Sequence, residues 1–146
     1  MSVERCFIDR KLRHDRPDLL KAKKSVEIAE DGLKEAQKLA DAAFPNQALV
    51  MAYASMFHAG RALLYRDGVI EKSYFCLLMY LKEEYADKGK LDQELMTMMD
   101  AFREERHEIF YSLNRVQISN DDVKEALANA KKLLEKVKEN IGKNLR

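Results

Sequence analysis

Apolar and small residues recur along most of this chain at alternating steps of three and four positions, the spacing of one face of an α-helix. One such stripe runs from Leu19 to Ala43, and another runs from Leu91 to Leu113. Val, Ile and Thr together supply only 14 of the 146 residues, too few for a β-sandwich or a β-barrel. The pattern therefore predicts an all-α protein.

The breaks between stripes predict five helices joined by short loops. They cover about 17–43, 46–66, 73–88, 92–111 and, behind a capping Ser119, 123–141. Short loops make consecutive helices antiparallel neighbours. We therefore expect one domain over 1–146, an antiparallel up-and-down bundle of four long helices plus a fifth helix. Its core spans about 17–141, and residues 1–16 form an N-terminal extension.

Composition and the missing motifs limit the function. The chain is 47% hydrophobic and 35% charged. It contains neither the apolar core of a signal peptide nor an apolar run long enough to span a bilayer. We therefore expect a cytoplasmic protein without membrane contact. Cys6 and Cys76 stand 70 positions apart and belong to no CxxC pair, so we expect neither a zinc site nor a disulfide. Metalloprotease, P-loop, dinucleotide and EF-hand motifs are absent, so we expect no metal and no cofactor.

The charges are unevenly distributed along a chain whose net charge is only +1. This net charge argues against a strongly basic nucleic-acid protein. Residues 1–24 nevertheless hold 8 basic and 4 acidic side chains. Ordinary solvated surfaces are the preferred interpretation of these basic residues, and a phosphate-binding patch is the alternative.

Two arginines interrupt the apolar stripes. Arg61 lies between Phe57 and Leu64 at helical spacing, and Arg106 is placed in the same way on the fourth helix. A buried guanidinium without a partner costs several kcal/mol, so each arginine must pair, extend to solvent or line a cleft. Carboxylates such as Glu105 or Glu108 are candidate partners from a neighbouring helix.

A cation, an imidazole and a phenol share one face of the fourth helix. Arg103, His107 and Tyr111 follow one another at steps of four. Such a set can hold a phosphate and a base. It can equally be an ordinary exposed face with Glu104 and Glu108 nearby.

Several segments resemble small HEPN-domain proteins (higher eukaryotes and prokaryotes nucleotide-binding). The resemblance is carried by Ala52–Leu64 (AYASMFHAGRALL), Ile70–Ser73, Lys88–Asp92 and Arg106–Tyr111, and it extends from about Leu19 to Ile141. The most similar branch comprises stand-alone HEPN proteins encoded beside a minimal nucleotidyltransferase.

The resemblance implies a helical bundle, a homodimer with a cleft between the protomers, and one of two activities. Some HEPN proteins are metal-independent ribonuclease toxins, whereas others bind a nucleotide or a nucleotidyltransferase without catalysis. The ribonuclease motif is Arg, four to six residues, then His, in which His acts as a base and Arg stabilises phosphoryl charge. Arg106 matches the motif arginine, but Tyr111 stands at the histidine position, and tyrosine is a poor base at neutral pH. His107 is a further candidate beside Arg106.

Three functions remain open after these observations. The first is a dimeric interaction module that binds a minimal nucleotidyltransferase and a nucleotide or RNA phosphate through Arg106, Arg103, His107 and Tyr111. In this hypothesis Arg61 and Tyr53 contribute to the cleft from the second helix. The second is a ribonuclease toxin that uses Arg106 with His107 or Tyr111, and the third is a structural dimer without a ligand. The substituted motif favours the first function over the second.

Overall fold

The computed structural model describes residues 2–111, 113 and 117–142, except for the side chain of Arg106. In chain order the elements are α1 (Val3–Ile8), β1 (Leu12–His14), α2 (Leu19–Asp41), α3 (Pro45–Asp67), β2 (Val69–Glu71), α4 (Tyr74–Leu81), a π-helical turn (Lys82–Ala86), α5 (Gln93–Tyr111) and α6 (Asn120–Gly142). The all-α prediction is confirmed, and a small two-stranded sheet is added to the helices.

Local signals place the helix ends close to where the sequence predicts them. Asp18 caps α2 by accepting a hydrogen bond from the backbone N–H of Lys21. Pro45 occupies the first turn of α3, where its missing N–H leaves no helical hydrogen bond unmade. Ser119 and Asp122 exchange side-chain-to-backbone hydrogen bonds at the start of α6, which is a capping box.

Helix α3 is the centre of the bundle and packs most extensively on α2 and α6. Small residues allow the close approach to α2: Gly32 faces Ser55, and the Ser55 hydroxyl donates a hydrogen bond to the Ala29 carbonyl. Gly60 provides the same space toward α4, where an added Cβ would lie 2.7 Å from Leu81 Cδ1. The helix that positions most of the core is therefore also the one richest in small residues.

The predicted third helix is divided. Helix α4 ends at Leu81, and the chain continues as the π-helical turn. In this turn the buried Tyr85 donates a hydrogen bond to Asp67 and accepts one from Arg66. Burial, followed by the hydrogen bond to Asp67, raises the pKa of Tyr85 far above its ordinary value, so the phenol stays protonated. These contacts hold the turn against the end of α3.

The N-terminal extension is folded onto the bundle. Strand β1 pairs antiparallel with β2, with Leu12 opposite Glu71. Cys6 of α1 forms a disulfide with Cys76 of α4, and the two residues are 0% and 2% exposed. The prediction that these cysteines form no disulfide is therefore wrong. The pairing could not be predicted from the sequence, because it depends on the antiparallel strands β1 and β2, which bring α1 next to α4.

Within the described residues, no helix combines the length and the apolar character needed to cross a bilayer.

Candidate functional site

The C-terminal half of α5 carries the predicted face of Arg103, His107 and Tyr111, called the α5 face below. The rings of His107 and Tyr111 lie 4.9 Å apart between centroids, and both residues are exposed. Together with Glu104, Glu108 and Phe110, the three residues of the α5 face line an open depression of about 460 Å³. The prediction that they share one face is confirmed.

Arg103 is loosely held at one end of the α5 face. Its guanidinium lies 3.1 Å from the Asp100 carboxylate and 5.9 Å from the centre of the Phe75 ring. The side chains of Arg103 and Asp100 are 38% and 52% exposed, and an ion pair at such exposure contributes little to stability. A phosphate can therefore compete with Asp100 for this arginine.

Arg106 lies in α5 between these residues. Its side chain is outside the described part of the structure, so its predicted role as the motif arginine stays a prediction. The neighbouring Glu105 has a pKa raised by burial and then by Asp122 and Glu125 of α6. Glu105 thus lies among other carboxylates rather than beside Arg61.

Tyr53 is part of a group of stacked aromatic rings that also contains Tyr74 and Phe57. It is 4% exposed, and its ring centroid is 4.8 Å from that of Tyr74, which in turn stacks on Phe57 at 5.7 Å. Burial, and then the neighbouring Tyr53, raise the pKa of Tyr74 well above its ordinary value. The positive charge of Arg103 opposes this rise. The predicted contribution of Tyr53 to a binding cleft stays a prediction.

Arg61 lies at the other end of the aromatic group. Its Nε is 3.0 Å from Glu71 Oε1, and its guanidinium carbon is 5.7 and 5.1 Å from the ring centres of Phe57 and Tyr65. The N–H does not point along a hydrogen-bond direction, so the contact with Glu71 is an ion pair. Of the alternatives open for Arg61, the structure shows pairing, with Glu71 as the partner instead of Glu105 or Glu108.

The charge state of His58 depends on its burial and on the neighbouring Arg61. Burial, and next the positive charge of Arg61, lower the pKa of His58, so its imidazole stays neutral at neutral pH. Arg61 is thus the cation of this part of α3, and Glu71 is its counter-charge.

Sequence reasoning missed Glu71 and Tyr74. Both follow the turn at Gly68, and only the β1–β2 pairing and the packing of α4 on α3 bring them to Arg61 and Phe57. The one available signal was an acidic residue after the short apolar pair Val69–Ile70, which is too common to identify an ion pair. The described residues contain no group of three or more His, Cys, Asp or Glu side chains placed to hold a metal ion.

The fold and the α5 face define a helical-bundle protein with an arginine and exposed aromatic rings on one long helix. A comparison with protein families matches the HEPN domain over residues 22–140. The chain belongs to the HEPN family. A search of curated proteins found no match.

Proposed function

We propose that this HEPN protein is a dimeric interaction module that binds a nucleotide or an RNA phosphate on the α5 face and has little or no catalytic activity. Family membership supports a nucleotide- or RNA-related role. The observation that carries the proposal is the exposed pair of rings, His107 and Tyr111, one turn beyond a weakly held Arg103. Exposed rings stack bases, and a guanidinium binds phosphate oxygens.

Electrostatic and packing features of α5 support the homodimer. Phe110, Tyr111 and Leu113 are 57%, 73% and 104% exposed. Such a concentration of exposed apolar surface is typical of interaction sites. Arg103 and Glu108 carry opposite charges five residues apart on α5, so an antiparallel pairing of two α5 helices that is centred between them would set unlike charges facing each other across a two-fold axis.

A minimal nucleotidyltransferase is the proposed partner in a toxin–antitoxin-like pair, on the basis of the resemblance to stand-alone HEPN proteins. The test is co-purification of the tagged chain with a nucleotidyltransferase encoded by the adjacent gene. Recovery of that protein in a constant ratio supports the partner, and its absence from the purified complex contradicts it. Sedimentation of the chain alone at micromolar concentration tests the dimer, for which a monomer is the contradicting result.

The alternative is a metal-independent ribonuclease toxin. Incubation with labelled RNA in the presence of a metal chelator separates the two functions. We expect intact RNA, because Tyr111 replaces the histidine that would act as a base. Cleavage by the wild type that is lost in Arg106→Ala would establish the ribonuclease instead. A structural dimer without a ligand, the third function, predicts neither cleavage nor nucleotide binding.

A cytoplasmic location is part of the proposal. Disulfides are more typical of oxidising compartments, so the state of Cys6 and Cys76 in cells bears directly on it. Alkylation of both thiols in lysates quenched at low pH is the result expected of a reducing cytoplasm. Complete protection of both thiols would argue against this location.

A further inference from the structure

Three cations lie on or next to the outer face of the two-stranded sheet. Leu12 and Glu71 are opposite each other and point inward, since Leu12 is 1% exposed and the Glu71 side chain is 6% exposed. Side chains alternate between the two faces of a strand, so Lys11, Arg13 and Lys72 lie on the outer face, and all three are exposed. These three residues are called the basic ribbon below.

The basic ribbon lacks counter-charges. Among the described residues, no carboxylate is within ion-pair distance of Lys11, Arg13 or Lys72, and Glu71, the acid of β2, is taken up by Arg61. Lys11 and Lys72 face each other directly, with the Lys72 N–H donating to the Lys11 carbonyl at 2.8 Å. Like charges opposite each other destabilise a sheet, so the arrangement is disfavoured unless an anion lies across it.

The ribbon is held firmly in place. Leu12 anchors β1 in the core, and the Cys6–Cys76 disulfide fixes the preceding helix to α4. The three cations are therefore displayed on an ordered support, which lowers the entropic cost of binding. Lys11 and Arg13 precede the region matched by the HEPN family, residues 22–140.

The ribbon's face carries the cations without a ring. His14, the last residue of β1, points to the same side as Leu12, lies opposite the buried Val69 and stacks on Phe7 with centroids 4.2 Å apart. Closely spaced cations on an exposed face match the successive phosphates of a nucleic-acid strand.

We propose that the basic ribbon is a binding surface for single-stranded nucleic acid. Its three cations contact successive phosphates of the strand. The surface is built on β1 and β2, and its binding does not depend on the α5 face.

The experiment compares two triple variants that remove the same charge. Lys11→Gln/Arg13→Gln/Lys72→Gln removes the ribbon, and Lys23→Gln/Lys34→Gln/Lys38→Gln removes three exposed cations of α2. Fluorescence anisotropy with labelled oligouridylate and oligothymidylate, each about 20 nucleotides long, gives the affinity at several salt concentrations. Thermal unfolding confirms that both variants are folded.

We expect the ribbon variant to bind about tenfold or more weakly, with a salt slope smaller by about 2, because each phosphate contact on a single strand releases roughly 0.7 counter-ions. The α2 variant should bind as the wild type does, and so should His14→Ala, because His14 lies on the other face of the sheet. Binding of either the RNA or the DNA strand supports the shared phosphate chemistry, and their ratio shows which one the surface prefers.

Three results would overturn the proposal: no binding by the wild type, equal losses in the two triple variants, or ribbon-dependent binding to phosphatidylserine–phosphatidylcholine vesicles in place of the strands. The last result would identify a lipid surface, for which the exposed Ile8 of α1 would be the apolar contact. Arg103→Gln distinguishes this proposal from that of the α5 face. Its effect on nucleotide binding should be the same whether the ribbon is intact or removed.

Discussion

Arg61 Nε lies 3.0 Å from Glu71 Oε1, and this ion pair joins the middle of α3 to the end of β2. The carboxylate is almost fully buried, and among the described residues its second oxygen has no hydrogen-bond partner. Glu71 therefore depends on Arg61 for compensation of its charge. The guanidinium of the same pair also lies against the rings of Phe57 and Tyr65, so the pair links β2 to these aromatic side chains of α3.

Removal of one partner should reveal this dependence. We expect Glu71→Gln to lower the free energy of unfolding by about 1–3 kcal/mol, because it leaves a half-buried guanidinium without a counter-charge. Denaturant unfolding measures the change. In a double-mutant cycle, Arg61→Met/Glu71→Gln should cost less than the sum of the two single variants by about 0.5 kcal/mol or more. Additive effects would mean that the two residues are not coupled.

His58 should make stability depend on pH. Its pKa is lowered in the folded protein, by burial and then by Arg61, so the unfolded chain binds a proton there more readily. Stability is therefore lost as the pH falls below the unfolded value, about 6.5, toward the lowered folded value. Between pH 7 and pH 5, His58→Gln should lose less unfolding free energy than the wild type. His14→Gln, at an exposed histidine, is the control, and an equal effect of the two variants would contradict the assignment.

Gly68 and Gly89 form a matched pair of left-handed residues. Their φ angles are 78° and 75°, but a Cβ on Gly68 would lie 2.6 Å from the Asp15 carbonyl oxygen, whereas nothing lies within 4 Å of a Cβ on Gly89. Both alanine variants bear the cost of the left-handed backbone, and only Gly68→Ala must also displace backbone. We expect Gly68→Ala to be the more destabilising by about 1 kcal/mol or more, measured by thermal or denaturant unfolding. Equal costs would show that Asp15 does not approach Gly68 this closely.

The disulfide should hold the N-terminal segment to the bundle. Closing a loop of 70 residues stabilises the folded state by about 4 kcal/mol in the chain-entropy treatment. We expect Cys6→Ala to lower the unfolding free energy by up to this amount and to accelerate hydrogen exchange in residues 3–14. The wild type in a dithiol reductant should behave in the same way. Two free thiols in air-oxidised, folded protein would contradict the pairing.

The sequence predicted those parts of the structure that depend on neighbours in the chain. Pro45, Gly68 and Ser119 mark helix boundaries through their own backbone chemistry, so the long helices were placed within a few residues of their ends. The i, i+4 spacing likewise brought His107 and Tyr111 together, since helical geometry alone decides which residues share a face.

Features that depend on tertiary contact could not be predicted in this way. The division of α4 from the π-helical turn involves hydrogen bonds between Tyr85 and residues of α3, far away along the chain. The pairing of Cys6 with Cys76 and of Arg61 with Glu71 follows from the antiparallel register of two three-residue strands. Such short strands give too weak a pattern to be recognised from alternation alone.

Nucleotide binding by the α5 face is tested most directly by a titration of the ¹⁵N-labelled protein with AMP, followed by amide chemical shifts. We expect the shift changes to concentrate at residues 103–111, to disappear in Arg103→Gln and to persist in Lys34→Gln. Changes confined to other elements, or no changes at millimolar AMP, would contradict it.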